Sequence, residues 1–376
     1  MFQTYTMCGM KKIITAFFFL VLAAPVFVSA APVQPRFYYA GWIPFWKKTP
    51  GIQDITNHLQ SQLNEISPFS YEVRASGALV DKLKIDEGFW PGWLSAVHDM
   101  HTKILPTVAW FDSAGIHRML SDTARRRAHE DAIAALAQHP TFDGVDIDYE
   151  NKRADTRAYF SLFIKGLATR LHAKKKILSC TVEPRTPLTS LFREPHARVE
   201  RANDYAVLNT YCDEVRVMAY DQGSVDFKLS DAKASTTPYM PVADPEWVKK
   251  VMNETIQTIS RKKIMLGIPT YGYEYALTTT STTTVPQRLR SLTWRQAMDR
   301  ATLMGATPQR NSAGELSYTY TATSSPPDIS AHRLVSFSDA SAIADKIALA
   351  KKMKLRGIVL FKLDGEADPA LWDKIK

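Results

Sequence analysis

The chain has 376 residues, a formal net charge of +9 and a sequence pI of about 9.3. Its three cysteines are too few for a fold that depends on a disulfide framework, although Cys180 and Cys212 could form one bridge in an oxidising compartment. Its basic runs lack the interleaved aromatic residues of a nucleic-acid groove.

The N-terminal segment has the three parts of a secretory signal peptide. Lys11 and Lys12 are followed by an apolar run over residues 13–28 and by a small-residue cleavage site that ends at Ala30. We therefore expect residues 1–30 to be a signal peptide and the protein to be secreted or held in the cell envelope. Because the apolar run is slightly long, an uncleaved N-terminal anchor is the alternative.

Eight short apolar runs with strand character follow, and helical segments separate most of them. The runs cover residues 37–41, 65–69, 103–109, 144–148, 177–183, 214–218, 264–268 and 357–360. Residues 157–171, for example, carry apolar side chains at helical spacing. Strands that alternate with helices indicate a parallel sheet, and eight such units predict an α/β fold of the (β/α)8 TIM-barrel class over residues 31–376.

The interval between the last two runs breaks this rhythm. It is too long for one loop and one helix. Residues 293–304 have helical character and residues 315–321 alternate like a strand, so we predict a small α+β insertion at about 273–333. The Thr/Ser-rich stretch 278–284 is predicted to be a mobile loop.

Residues 143–150, Asp-Gly-Val-Asp-Ile-Asp-Tyr-Glu, carry the strongest indication of function. Because side chains on a strand alternate in direction, Asp146, Asp148 and Glu150 share one face. Crowded carboxylates on a buried face raise the pKa of at least one member, which keeps it protonated as a general acid near neutral pH.

Two other interpretations of this octet remain. A solvated acidic turn is disfavoured by the flanking hydrophobic residues. A metal site is disfavoured because the octet lacks the glycine and terminal glutamate spacing of a calcium loop and has no neighbouring His or Cys. We therefore expect neither a metal nor a cofactor.

The octet, as Asp-x-x-Asp-x-Asp-x-Glu at the end of the fourth strand, resembles the signature of glycoside hydrolase family 18, the chitinase-like hydrolases. Segments 218–221, 266–272 and 356–366 are similar to further motifs of that family, in the right order, and the resemblance covers nearly all of the mature chain. Segments 65–69 and 335–339 resemble its bacterial branch of spore-cortex-lytic and wall-active members.

The chain departs from the family pattern at two places. Residues 107–110 replace the Ser-x-Gly-Gly of well-known chitinases, which shifts the subfamily rather than the activity. Phe361 occupies the position on the last strand at which the family usually has a tryptophan that forms the floor of the sugar-binding site. Phenylalanine keeps an apolar face for a sugar ring but loses area and an N–H donor.

The resemblance implies substrate-assisted, retaining hydrolysis, in which the acetamido group of the sugar is the nucleophile. Glu150 is then the general acid, and Asp148 holds the acetamido N–H. Asp146 shares a proton with Asp148, and Tyr220 donates its hydroxyl to the acetamido oxygen. The predicted substrate-binding residues are Asp143, Asp221, Trp42, Trp110, Tyr271 and Phe361. For the aromatic members core packing is the alternative, and for Asp143 ordering of the turn and strand is favoured over a direct chemical role.

The predicted function is therefore hydrolysis of β-1,4-linked N-acetylglucosamine glycans, namely chitin, chito-oligosaccharides or peptidoglycan. A non-catalytic, lectin-like protein on the same fold is the alternative that Phe361 keeps open, and an endo-acting enzyme on N-linked glycans is a third. The partner is an N-acetylglucosamine-containing polysaccharide, with no nucleic acid and no obligate protein partner, and the protein is expected to be a monomer. The basic runs are predicted to follow helix C-termini, where cations are stabilised, or else to attract an anionic wall.

Overall fold

The computed structural model describes residues 1–4, 37–194, 199–233, 238–279, 284–323, 326 and 329–375. The helices and strands of these described residues all lie in one unit, Phe37–Lys376. Apart from residues 1–4, the predicted signal peptide lies outside the described residues. No helix in the described part of the chain has the length and apolar character needed to cross a membrane.

The strands follow one another along the whole unit. They are β1 (Tyr38–Pro44), β2 (Glu65–Phe69), β3 (Tyr71–Val73), β4 (Leu79–Asp81), β5 (Lys103–Ile104), β6 (Thr107–Trp110), β7 (Gly144–Tyr149), β8 (Ile177–Val182), β9 (Glu214–Val217), β10 (Ile264–Pro269), β11 (Tyr271–Thr279), β12 (Thr284–Thr293), β13 (Gln309–Arg310), β14 (Leu316–Thr321), β15 (His332–Phe337) and β16 (Gly357–Phe361).

The helices separate most of these strands. They are α1 (Lys48–Gln62), α2 (Trp90–Asp99), α3 (Ser113–Ser121), α4 (Thr123–Leu136), α5 (Arg157–Ala173), α6 (Leu188–Leu191), α7 (Tyr205–Tyr211), α8 (Phe227–Ala232), α9 (Pro245–Thr255), α10 (Trp294–Leu303) and α11 (Ala340–Lys352).

The larger sheet is curled, and its main strands pair in parallel in chain order. β1 pairs with β2 on one side and with β16 on the other, and the pairings continue from β16 through β10, β9, β8, β7 and β6. The sheet is not continuous between β5 and β6. β2 pairs with β5 at one edge of the sheet, and β6 pairs with β3 near the other edge. Because the first strand contacts the last, this sheet with its intervening helices is consistent with a (β/α)8 barrel.

Both faces of the strands of this sheet are covered, so that their polar side chains are buried as well as their apolar ones. All six residues of β7 are buried. On its outer face Tyr149 stacks on Phe163 of α5, with 5.4 Å between ring centroids. Such two-sided burial is typical of parallel sheets flanked by helices, and it explains why the predicted strands read as continuous apolar runs.

A second, antiparallel sheet occupies the chain between β10 and β16. Its strand order is β12, β11, β15, β14 and β13, and α10 packs against it through Ala297 and Ala301. The predicted helix 293–304 corresponds to α10, and the predicted strand 315–321 corresponds to β14. Of the predicted loop 278–284, the outer residues belong to the paired strands β11 and β12, and residues 280–283 lie outside the described residues.

Two of the three cysteines form a disulfide. Cys180 on β8 is bonded to Cys212, which directly follows α7, and the two Cα atoms are 6.1 Å apart. Both side chains are buried. The bridge therefore ties two neighbouring strand–helix units of the larger sheet together inside the core.

The basic runs only partly follow the predicted rule. Lys174 directly follows α5, and α11 ends with two lysines. The run 125–127, however, lies in the first turn of α4 rather than at its end. There Arg126 reaches back and donates to the carbonyl of Leu120 near the end of α3, at 2.8 Å, so it satisfies a helix C-terminus that precedes it.

Candidate active site

The acidic octet lies on β7, where strand register fixes what each carboxylate meets. Asp146 is paired in register with Thr107 on β6 and with Ser179 on β8. Asp148 lies two residues further on and therefore on the same inward face. Glu150 follows the last strand residue, at the carboxyl end of the sheet, which is where active sites of such barrels are built.

Asp146 is fully buried, and both of its carboxylate oxygens accept hydrogen bonds from neighbouring strands. Oδ1 accepts from Ser179 Oγ at 2.7 Å and Thr181 Oγ1 at 2.8 Å. Oδ2 accepts from Trp42 Nε1 at 3.1 Å and Thr107 Oγ1 at 3.0 Å. These four donors fix Asp146 beneath the cleft.

A buried arginine compensates for this carboxylate. Arg216 on β9 is fully buried, and its Nη1 lies 3.4 Å from Asp146 Oδ2. The same guanidinium donates to Ser67 at 2.7 Å, to Glu214 at 2.9 Å and to Glu65. Charges can lie inside a barrel when they are paired and hydrogen-bonded in this way.

Asp148 lies above Asp146 and has a different environment. Its side chain is nearly inaccessible, and in the described part of the chain its Oδ1 is buried without a hydrogen-bond partner. Burial raises the pKa of Asp148 well above its ordinary value, and the charges of Glu150 and Asp146 raise it further. The carboxyl group of Asp148 therefore offers a ligand an oxygen that has no partner among the described residues.

Glu150 has the protonation behaviour of a general acid. Burial raises the pKa of its carboxyl to about 7, with further contributions from the charges of Glu183 and Asp221, while Lys152 opposes the shift. A carboxylic acid with a pKa near neutrality can give up a proton and later take it back.

Glu183 and Lys152 were not identified from the sequence. Glu183 directly follows β8, and its carboxylate accepts from the backbone N–H of Asn151 at 3.0 Å and from Asn203 Nδ2 at 2.7 Å. Lys152 Nζ lies 3.8 Å from Glu183 Oε2 and donates to the carbonyl of Tyr149. Since Glu183 ends the predicted fifth strand, the rule that places catalytic groups at strand ends could have identified it.

A cleft of about 410 Å³ opens above these acids. Its walls combine aromatic rings with carboxylates. The lining residues are Trp42, Phe45, Trp46, Phe69, Glu72, Phe111, Asp148, Glu150, Glu183, Pro184, Met218, Tyr220, Asp221 and Phe361. Aromatic faces beside a few polar groups are suited to sugar rings, which present apolar faces and hydroxyl edges.

The floor of the cleft is a cluster of rings. Phe361 stacks on Tyr220 with 5.6 Å between centroids and an interplanar angle of 10°, and Trp42 meets Phe361 edge-on at 5.8 Å. Burial raises the pKa of Tyr220 well above its ordinary value, so its hydroxyl remains a donor. Gly267 on β10 allows this close approach, because a Cβ there would lie 2.6 Å from the carbonyl oxygen of Val217 and 3.0 Å from the Tyr220 ring.

Asp221 is held at the cleft wall by two hydroxyl groups. Its Oδ1 accepts from Tyr271 at 2.5 Å and from Tyr273 at 2.7 Å. Its backbone is left-handed, with φ of 59°. Such a conformation is costly for a non-glycine residue and often occurs at functional sites.

Six of the ten predicted site residues line the cleft: Glu150, Asp148, Tyr220, Asp221, Trp42 and Phe361. Asp146 and Tyr271 contact lining residues from behind, through the hydrogen bonds given above. The remaining two lie elsewhere.

Asp143 precedes β7, at the opposite end from Glu150, and its Oδ2 accepts from the backbone N–H of Ile104 at 2.9 Å. This position fits the ordering of the strand. Trp110 is buried on the outer face of the sheet, 5.6 Å from Tyr149 and 5.7 Å from His129 between ring centroids. That position fits core packing, which was the alternative considered for the aromatic residues.

Among the described residues, no group of three or more His, Cys, Asp or Glu side chains is arranged to hold a metal ion. The described lining of the cleft includes carboxyl groups, a tyrosine hydroxyl and aromatic faces.

A parallel sheet consistent with a barrel, with a carboxyl of raised pKa at the end of one strand in an aromatic cleft, is the arrangement expected of a glycosidase. Residues 94–366 match the profile of the glycosyl hydrolases family 18, and the chain belongs to that family. The prediction of the family from the acidic octet is thereby confirmed.

The relatives of the chain include bacterial wall-active proteins and chitinases. The chain is 24% identical to an uncharacterised glycosylase, YvbX, of Bacillus subtilis over 270 aligned residues. This aligned region covers 71% of this chain and 70% of the relative. The structure is similar to the spore cortex-lytic enzyme SleL of Bacillus megaterium, with a TM-score of 0.69, 20% identity and coverage of 92% and 74%. It is also similar to a chitinase of Chromobacterium violaceum, with a TM-score of 0.71, 20% identity and coverage of 90% and 98%. At these identities the structural similarity establishes the fold.

Proposed function

We propose that the protein is a secreted glycosidase that cleaves β-1,4-linked N-acetylglucosamine glycans by substrate-assisted, retaining catalysis. The observation that carries this proposal is the convergence of Asp148, Glu150 and Tyr220 on one aromatic cleft, with the pKa of Glu150 raised to about 7. The chain between β10 and β16 is proposed to be an insertion into a (β/α)8 barrel, and residues 1–30 are proposed to direct secretion.

In the proposed first step, Glu150 gives its proton to the glycosidic oxygen and the bond from that oxygen to the anomeric carbon breaks. The acetamido oxygen of the same sugar attacks the anomeric carbon and closes a cyclic cation. Asp148 accepts a hydrogen bond from the acetamido N–H, and the Tyr220 hydroxyl donates a hydrogen bond to the acetamido oxygen. Asp146 is proposed to act on Asp148 through its charge rather than by sharing a proton, because both of its oxygens already accept hydrogen bonds from other residues.

In the proposed second step, Glu150 accepts a proton from water as the water oxygen attacks the anomeric carbon. The bond from the acetamido oxygen to the anomeric carbon breaks, which opens the cyclic cation with retention of configuration. The raised pKa of Glu150 suits both steps, since the same group first releases and then accepts a proton near neutral pH.

The first prediction concerns Glu150. Glu150→Gln removes the proton donor while preserving size and shape, so turnover of N-acetyl chito-oligosaccharides should fall by about 10² or more, with folding and binding retained. Mass spectrometry of the products measures turnover, and Glu87→Gln, an exposed carboxylate outside the cleft, is the control. Wild-type activity in Glu150→Gln would contradict the assignment.

The second prediction concerns the substrate. Because the nucleophile is the acetamido oxygen, the sugar at the cleaved bond must carry an N-acetyl group. We expect cleavage of N-acetylglucosamine oligomers and none of plain β-1,4-glucan of equal length. Efficient glucan cleavage would exclude the substrate-assisted mechanism.

The alternative, a carbohydrate-binding protein without activity, is favoured by one observation, the presence of Phe361 on the floor of the cleft. Retention of the wild-type protein on chitin or peptidoglycan without release of products from either polymer would favour this alternative.

A further inference from the structure

A second, smaller pocket of about 180 Å³ adjoins the cleft. The pocket and the cleft share Glu183 and Pro184, which directly follow β8, so the pocket continues the cleft beyond these two residues. Arg185 and Arg201 line the pocket but not the cleft. A ligand that extends past Glu183 therefore meets guanidinium groups.

Neither arginine has an acidic partner among the described residues. Arg185 donates to the backbone carbonyl of Asn203, and its guanidinium carbon lies 3.3 Å from the centre of the Tyr205 ring. Arg201 donates to the backbone carbonyl of Thr186 in a long hydrogen bond of 3.5 Å. These contacts orient the two side chains but leave their positive charges without a counter-ion.

The surroundings of Arg185 contain more positive than negative charge. Burial lowers the pKa of its guanidinium from the ordinary value, and the cations Arg201 and Arg157 lower it further. Tyr205 and Asp204 oppose this shift, but Asp204 Oδ2 already accepts from Arg157 Nε at 3.1 Å and Nη2 at 2.8 Å. Partly buried cations that repel each other are stabilised when an anion binds between them.

The two carboxylates of the pocket do not neutralise these arginines. Glu183 already has Lys152 as its ion partner, at 3.8 Å, and accepts from two N–H donors. Glu200 is exposed, and it forms no ion pair within the part of the chain that the structure describes. Both arginines therefore remain available to an anionic group of a ligand.

A buried amide in the same pocket has an unused acceptor. Asn203 is 7% exposed, and its Nδ2 donates to Glu183 at 2.7 Å. Its Oδ1 is buried and has no hydrogen-bond partner in the described structure. Because a buried acceptor without a partner is costly, this oxygen indicates a missing donor, such as a sugar hydroxyl or an amide N–H. It is evidence for a ligand that is independent of the charges.

We propose that this arginine pocket, formed by Arg185, Arg201 and Asn203, binds a carboxylate carried by the sugar next to the N-acetylglucosamine at the cleaved bond. Because the pocket continues the same cleft, the proposal rests on the proposed function and narrows its substrate. Chitin has no carboxylate, whereas the glycan of peptidoglycan carries one on the lactyl ether of every second sugar. The substrate is therefore the alternating glycan rather than chitin.

The acids of the cleft do not repel such a carboxylate under mildly acidic conditions. Burial raises the pKa of Glu150 to about 7 and that of Asp148 well above its ordinary value, so both are largely neutral at about pH 6. Arginine stays charged at every working pH, and its planar fork matches a carboxylate. At this pH the attraction of the arginine pocket therefore prevails.

The test measures binding at about pH 6 in the Glu150→Gln background, so that the ligand is not consumed. The acidic ligand is a β-1,4 tetrasaccharide in which N-acetylglucosamine alternates with its 3-O-lactyl derivative. The matched neutral ligand is the same tetrasaccharide with its lactyl carboxylates converted to methyl amides. We expect the acidic form to bind about tenfold more tightly, and added salt to reduce this preference.

Substitutions show whether the arginine pocket is responsible. Arg201→Gln and Arg185→Gln should each remove most of the preference, and Arg201→Gln should leave binding of an N-acetylglucosamine tetramer unchanged. Arg127→Gln, which changes the net charge equally at an exposed position of α4, is the control and should keep the preference. Thermal unfolding of each variant checks that the fold is retained. Equal binding of the acidic and neutral forms, or a preference that survives both substitutions, would overturn the proposal.

Cleavage by the wild type separates this proposal from the proposed function. If the acidic tetrasaccharide is cleaved, kcat/KM for it should fall about tenfold in Arg201→Gln, while kcat/KM for the N-acetylglucosamine tetramer stays the same. Cleavage of the N-acetylglucosamine tetramer without any arginine-dependent preference overturns the arginine pocket alone. An arginine-dependent preference without cleavage of any ligand overturns the proposed hydrolase and supports the arginine pocket.

Discussion

Protonation of Glu150 should set the pH dependence of the enzyme. The acid must be protonated to act, and its pKa is raised from the ordinary 4.5 to about 7. We therefore expect kcat/KM to fall as pH rises through about 7 and not as pH rises through 4.5. A pH–rate profile on an N-acetyl oligomer measures this descending limb.

Two charged neighbours of Glu150 shift its pKa in opposite directions, so substituting each one tests whether Glu150 sets the pH dependence. The charge of Glu183 raises the pKa of Glu150, so Glu183→Gln should move the descending limb to lower pH. Lys152 lowers that pKa, so Lys152→Met should move the limb to higher pH. Glu87→Gln serves as the control and should leave it in place. Identical limbs in all four proteins would show that another group controls the profile.

The disulfide between Cys180 and Cys212 should stabilise the elements that it joins. Cys180 and Cys212 are separated by 32 positions, so the bond restricts a sizeable loop of the unfolded chain. By the chain-entropy relation, replacing both cysteines with alanine should lower the free energy of unfolding by about 3–4 kcal/mol. Denaturant unfolding measures the loss, and the wild type unfolded with a reductant should show a similar one. A wild type whose stability does not respond to reduction would contradict the estimate.

The sequence predicts most strands of the larger sheet, because they are short, largely apolar runs between helical segments, whereas the short strands β3 and β4 of that sheet were not predicted. The predicted run 65–69 coincides with β2, and the other runs agree with strands to within a few residues at each end. The run 103–109 is broken after Ile104 because Pro106 has no N–H to give to the sheet. β11 and β12 were not predicted as strands, and the stretch 278–284 at their ends was predicted to be a loop, since pairing with a partner strand decides such segments.

The site was predictable where spacing within one strand decides the direction of side chains. Asp146 and Asp148 followed from the period-two alternation on β7. Trp110 could not be placed in this way, because only the register with Tyr149 shows that it faces outward. The burial of Arg216 could not be predicted either. A charged side chain is stable in the core only when it is paired, and the partners Glu65 and Asp146 lie far away along the chain.

At the scale of the whole molecule, one buried carboxylate joins three parts of the fold. Glu315, directly before β14, accepts from the backbone N–H groups of Val242 at 2.8 Å and Ala243 at 2.7 Å, just before α9. Its Oε1 lies 3.9 Å from Nζ of Lys346 on α11, and both side chains are fully buried. The second sheet is thereby held to the helical layer of the larger sheet through polar contacts that water does not reach.

Glu315→Gln should therefore be strongly destabilising, because it leaves Lys346 without its counter-charge in the core. We expect a loss of about 3 kcal/mol in the free energy of unfolding, the usual cost of breaking a buried pair from one side. Adding Lys346→Met removes the uncompensated ammonium group and should recover part of that loss, as a double-mutant cycle in denaturant would show. Lys352→Met, at an exposed position of the same helix, is the control and should recover nothing. Losses that simply add in the double variant would mean that the two residues stabilise the fold independently, and that the backbone N–H groups of Val242 and Ala243 alone hold Glu315 in place.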